Sequence, residues 1–196
     1  FFNAQFDQLL AGMDQSLGAD LSTRLIRKKL ENRDVFERSI AALIENDEDQ
    51  RVEFKETFSV NTTTVKKKDD DVRYAALREI TGFLNTNDGV LLIGIRDKKN
   101  RSDDLPAVSG IAADGYVGDD DKYIRQIQDL VYNSLGATAA SLVSIKIKEI
   151  GDAHVCRIEC RKALKPTFCA YRGKPKLPFV RYGSSSVEPT HPDWQK

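Results

Sequence analysis

The stretch GVLLIGIRD, residues 89–97, constrains this chain more than any other. A strand with one wet face alternates apolar and polar residues, whereas a nearly continuous apolar run marks a strand covered on both faces. Such a strand needs hydrogen-bonding neighbours and a layer packed on each side, which points to a sheet with helices on it. The segment before it, YAALREITGFLN, places Ala76, Ile80, Phe83 and Leu84 on one helical face, and Asn87-Asp88-Gly89 then supplies a turn. The local order is helix, turn, buried strand.

Other segments extend this pattern. RVEFKETF, residues 51–58, puts Val52, Phe54 and either Thr57 or Phe58 at strand positions. KYIRQIQDLVYNSLG is amphipathic through Ile124, Ile127, Val131 and Leu135, with Gly136 suited to a C-terminal cap. SLVSIKIKEIGDAHVCRIEC reads as two strands around a Gly151-Asp152 turn, and LPFVRYGS as a last strand. TTTVKKKDDDV reads as an exposed loop before a helix. Helical spacing also recurs near the start, through Phe6, Leu9, Leu10 and Met13, then Leu21, Leu25, Ile26 and Leu30 with Asp20 as N-cap. Val35, Ile40, Leu43 and Ile44 suggest a third helix. The expected fold class is α/β (α+β): a mixed β-sheet flanked by helices, with an N-terminal helical segment. The expected organisation is a helical extension over 1–46, a domain over 47–190 and a tail over 191–196. The chain starts on Phe1 and not Met, so it is read as a fragment; the expectation is one module of a larger or oligomeric protein, a homo-oligomer included.

Composition narrows the class. With 40% hydrophobic and 31% charged residues, the chain is neither disordered nor membrane-like. No apolar run approaches the roughly 20 residues of a bilayer span, and no signal-peptide pattern opens the chain. Three cysteines without a secretion signal suggest reduced thiols and a cytoplasmic protein. Net charge is zero, but residues 141–182 carry ten basic residues against three acidic ones, a bias that can build an anion-binding face.

Candidate chemistry is sparse. Period two places Glu53 and Lys55 on the strand face opposite Val52 and Phe54, where they form an exposed ion pair or act together on a phosphate. Facing away from the core, Glu53 is expected to be replaceable without loss of the fold. Asp97 ends the apolar strand, a position that often carries functional groups in α/β sheets and is otherwise a solvated turn. Gly94 suggests a bulge or a close backbone approach. No GxxxxGK[ST] or GxGxxG pattern is present, so no nucleotide cofactor is expected. His154, Cys156 and Cys160 on one strand do not converge on a zinc ion, and no histidine has a nucleophile context.

Three blocks, taken in order, resemble the Schlafen-type AlbA-like domain family. EDQRVEFKETF is similar to its glutamate followed by an E-x-K, ITGFLNTNDGVLLIGIRD to its helix–turn–strand block, and ALKPTFCAYRGKPKLPFVRYGSSS to its late segment ending in YxRxGSSS/T. Departures are Asp88 at the first glycine of the turn pair, Asp49 at a frequent serine, and a long NTTTVKKKDDD loop. The resemblance implies binding of DNA or RNA. In members that are metal-dependent endoribonucleases it implies a carboxylate trio, which matches Glu48, Glu53 and Asp97, holding Mg²⁺ or Mn²⁺. Lys55, Arg172, Lys174, Lys176 and Arg181 are then the expected nucleic-acid contacts. The rival expectations are an endoribonuclease and a protein-interaction domain without nucleic-acid activity; no membrane partner is expected.

Overall fold

The computed structural model describes residues 35–62, 67–103 and 106–189. The chain divides into two compact units, Phe1–Glu37 and Arg38–Lys196. The helices expected before residue 35 and the tail at 191–196 lie outside the described residues.

The second unit opens with helix α1 (Ile40–Asn46), whose first turn is capped by the Ser39 hydroxyl accepting from the Ala42 amide at 3.1 Å. This helix groups with the sheet, not with the N-terminal extension to which the sequence reading gave it. Strand β1 (Val52–Lys55) follows, then two short arms, β2 (Val60–Asn61) and β3 (Lys67–Lys68), paired antiparallel where the sequence suggested an open loop. Helix α2 (Asp70–Thr86) starts on Asp69, whose carboxylate accepts from the Asp71 amide. Strand β4 (Gly89–Ile93) comes next, then helices α3 (Asp120–Leu135) and α4 (Ala137–Ala140). Strands β5 (Val143–Ile150) and β6 (Ala153–Cys160) form the hairpin read at Gly151-Asp152, and β7 (Val180–Tyr182) with β8 (Ser185–Val187) forms a second one.

The main sheet has the order β1-β4-β6-β5, with β1 parallel to β4 and the other pairs antiparallel. All five residues of β4 are buried, as its unbroken apolar run requires. One face carries Leu91, Ile93, Ile145, Cys156 and Ile158 against Leu77, Ile80 and Leu84 of α2 and Ile127 and Val131 of α3. By register, Glu53 stands beside Leu91 on this same face. The other face carries Val52, Phe54, Val90, Leu92 and Arg157, all buried. Arg157 there donates to the Arg38 carbonyl at 2.6 Å and pairs with Glu159 at 2.7 Å. The three cysteines are free and buried, and burial pushes the Cys169 thiol up to about 11. No helix among the described residues is long and apolar enough to cross a membrane.

Gly94 lies just past β4 with φ at +92°, where its amide donates to the Lys55 carbonyl at 2.8 Å. Its own carbonyl accepts from Ser109 at 2.9 Å and Gly110 at 3.0 Å, and a Cβ here would sit 2.9 Å from the Gly110 carbonyl carbon. Both the dihedral and the close approach demand glycine. Gly94→Ala is expected to cost about 1–3 kcal/mol, read as a lower urea midpoint at constant slope. An unchanged midpoint would mean that this crossing tolerates a side chain.

Candidate nucleic-acid interface

The side chain of Arg181 on β7 is fully buried. Its Nη1 donates to Glu53 Oε2 at 3.0 Å and to Glu79 Oε2 of α2, and its Nη2 donates to the Asp49 carbonyl at 2.8 Å. Lys55 Nζ takes the other Glu53 oxygen at 2.8 Å, and the Ser186 hydroxyl donates to Glu79 Oε2 at 2.5 Å. The guanidinium also lies 4.7 Å from the centre of the Phe83 ring. Two cations and two carboxylates thus close on each other across β1, α2 and β7. Such a buried group is held because each charge keeps its partner.

Two expectations are therefore corrected. Arg181 is not an outward nucleic-acid contact, because its charge is consumed inside. Glu53 does not face away from the core, because β1 runs parallel to β4 and both of its faces are covered. Lys55 is half-buried and its ammonium is committed to Glu53.

The structure brings Glu48, Glu53 and Asp97 close enough to interact. Burial, then the neighbouring Glu53 carboxylate, pushes the Glu48 acid up; the Phe54 amide opposes this and Asp97 adds to it. Each carboxylate nevertheless has a protein partner. Glu48 Oε1 accepts from the Phe54 amide at 2.9 Å, and Glu53 has both oxygens in ion pairs. Asp97 caps the turn Lys98–Asn100 by accepting from the Lys99 amide, and pairs with Lys99 Nζ at 2.6 Å, which holds its acid below the usual range. Among the described residues no group of three His, Cys, Asp or Glu side chains is placed to hold one metal ion. As arranged, this trio does not fit a Mg²⁺ or Mn²⁺ centre, since the Phe54 amide engages Glu48 and the chain's own cations engage Glu53 and Asp97.

The late basic segment is also partly spent. Arg172 pairs with Asp70 at 3.1 Å and Lys174 with Asp71 at 2.7 Å, both acids lying at the start of α2, where Tyr171 also donates to Asp70 at 2.7 Å. Lys176 is different. It lines a cavity of about 700 Å³ together with Lys162 and Lys165. No carboxylate lines this cavity, and no ion pair involves these three ammonium groups among the described residues. Sequence reading counted Lys162 and Lys165 in the basic excess but did not place them in a site.

The segment that carries them is pinned to the end of α2. The Lys162 amide donates to Asp88 Oδ1 at 2.7 Å and the Ala163 amide to the Leu84 carbonyl at 2.8 Å. Asn85 accepts from the Thr167 amide at 2.7 Å and donates to the carbonyls of Thr167 at 2.8 Å and Phe179 at 2.9 Å. Asp88, unusual for the resembling motif, is thus a side-chain acceptor that a glycine could not supply. The opposite wall comes from the α3–α4 junction around Gly136 and Ala139.

A mixed sheet with this helix–turn–strand block and a late segment clamped onto it makes an α/β domain. The family model described as Schlafen, AlbA_2 matches residues 48–190, and the chain belongs to that family. The DIP2311 protein from Corynebacterium diphtheriae is similar in fold, with a TM-score of 0.51 and 18% identity over 74% of this chain and 23% of that one. The chain thus spans about a quarter of that longer protein. The N-terminal domain of a RecG-related protein from Nitrosomonas europaea is similar at TM-score 0.46 and 20% identity, over 74% of this chain and 89% of that one. No curated protein matches the chain.

Removing Arg181 leaves two carboxylates facing each other inside the protein. Arg181→Met is expected to cost about 3–5 kcal/mol, with part of the loss recovered when Glu53→Gln and Glu79→Gln are added. An unshifted denaturation midpoint for Arg181→Met would show that the buried charges do not hold the domain together. Glu48 gives a pH test. Its acid is raised in the folded state, so folding takes up a proton, and this contribution to stability is lost as pH rises through the folded value. Glu48→Gln, which keeps the acceptor for Phe54, should raise the melting temperature in EDTA at pH 7, and the gain should vanish below about pH 4.3, the ordinary Glu value. A gain that is the same at both pH values would exclude this charge as its source.

Proposed function

We propose that this chain is a nucleic-acid-binding module that holds phosphates with Lys162, Lys165 and Lys176. The observation that carries the reading is that three lysines line one concavity where, among the described residues, they have no ion pair and no carboxylate joins the lining. On a chain of zero net charge that arrangement gives a local field for a polyanion. Membership of the Schlafen AlbA_2 family supports it. The module reading draws on the similar fold occupying a minor part of the longer Corynebacterium diphtheriae chain. Three free, buried thiols suit a reducing, cytoplasmic setting. Catalysis by the carboxylate trio is not part of this reading, because Glu53 and Asp97 are already neutralised from within.

Each lysine that contacts a phosphate releases counterions, so affinity falls with salt at a slope set by the number of contacts. Replacing Lys162, Lys165 and Lys176 together with glutamine should flatten the slope of log K against log salt by about 2–3, without shifting the melting temperature. Arg172→Gln with Lys174→Gln, whose charges Asp70 and Asp71 already offset, should change it by about one or less. Binding should persist in EDTA. A triple variant with wild-type affinity and slope, measured by anisotropy titration on labelled RNA and DNA, would overturn the proposal.

A further inference from the structure

The lysines explain attraction to a phosphate chain but not the rest of the cavity. Much of the rest of its lining is apolar, with Leu135, Ala139, Leu142, Ala163, Leu164 and Phe168. Leu164 stands fully exposed beside the lysines, an unusual position for a large aliphatic side chain, and Phe168 is only half-buried. Lys176 Nζ lies 5.7 Å from the centre of the Phe168 ring, so a cation and an aromatic face open onto the same space. The volume of about 700 Å³ falls within the roughly 300–1,000 Å³ that takes one small-molecule-sized group. A double helix does not enter such a cavity, since its major groove alone is about 12 Å wide. The bases of a duplex are also stacked inside it and cannot reach an apolar floor. An unpaired base can, because it presents a free π-face for an aromatic ring while its flanking phosphates stay at the rim.

Resting on the binding function proposed above, we infer that this cavity receives an unpaired base of a single-stranded segment, packed against Phe168 and Leu164, with Lys162, Lys165 and Lys176 on the adjoining phosphates. The cations then provide affinity that both strand forms share, and the apolar surface provides the preference for a single strand. The rim is rigid enough for this role because Asn85, Leu84 and Asp88 fix the Lys162–Thr167 backbone.

The test compares a labelled single strand of about ten nucleotides with a blunt duplex of the same sequence, using the full 196-residue chain. A second single strand carries 2-aminopurine. The expected result is single-strand binding at least tenfold tighter than duplex binding, with a change in 2-aminopurine emission on complex formation. Leu164→Ser, an uncharged change on a fully exposed side chain that the fold does not need, should remove most of that preference and leave duplex binding at low salt within about twofold. Phe168→Ala should abolish the emission change, with circular dichroism confirming the fold. Equal affinity for both forms would overturn the inference, and so would a single-strand preference that Leu164→Ser leaves unchanged. If the triple lysine variant still lost binding in that case, phosphate binding would stand and only base insertion would fail. Absence of binding to either form at low salt would overturn both.

Discussion

The buried guanidinium of Arg181 ties the domain together. It reaches Glu53 on the first strand of the sheet, Glu79 on the long helix and the Asp49 carbonyl ahead of that strand, from a hairpin that arrives more than a hundred residues later. Hydrophobic burial alone does not fix how a short hairpin of three-residue strands sits on a helix, since it is not directional. Charge-assisted hydrogen bonds are directional, and here they specify one seating. Gly82 allows it: a Cβ at that position would lie 2.4 Å from the Ser186 hydroxyl that donates to Glu79. The ion-pair group brings its own constraint. Arg181 is the only cation paired with Glu79 among the described residues, whereas Glu53 also has Lys55, so loss of Arg181 leaves a buried carboxylate without a counter-charge.

A second set of contacts builds the working surface. The end of α2 offers the Leu84 carbonyl, the Asn85 amide and, one turn further, the Asp88 carboxylate, and all three hold the segment that leaves β6. That segment has no ladder of its own, and without these acceptors its amides at 162, 163 and 167 would need water. The same bonds hold the backbone of Lys162 and Lys165 beside the cavity that they line with Lys176. The motif that looked like a catalytic strand end therefore acts through its preceding turn. In the proposed binding reading, that turn holds the basic segment in place.

The physics of each element decides how much of this was legible. Strand β4 was readable because only a strand covered on both faces tolerates Val90 to Ile93 without a polar break. The β5–β6 hairpin was readable from its Gly151-Asp152 turn, and α2 and α3 from their 3.6-residue spacing. Strand β1 misled for a definite reason. V-E-F-K alternates as a half-exposed strand does, yet Glu53 is buried, because its charge is met from a residue 128 positions away. No local window contains that partner. Arg181 misled in the same way: a lysine or arginine in a basic segment reads as exposed until its carboxylates are located. The cavity itself joins the α3–α4 junction to residues 162–176, a juxtaposition that only tertiary packing creates.

Charge pairing, more than charge count, determines where such a chain can meet a polyanion. The basic segment from 141 to 182 suggested one continuous face. The structure divides it. Arg157 and Lys146 share Glu159, Arg172 and Lys174 are balanced by the acidic start of α2, and Arg181 is balanced from within. A phosphate approaching any of these would have to displace a carboxylate already in place, which leaves little net gain. Among the described residues, Lys162, Lys165 and Lys176 have no such competitor in their shared concavity, and they border apolar wall. A neutral protein can therefore carry a strongly selective anion site, provided that its carboxylates are committed elsewhere. In this fold, the ion pairs at the helix start and the buried hairpin engage Asp70, Asp71, Glu53 and Glu79 away from that groove.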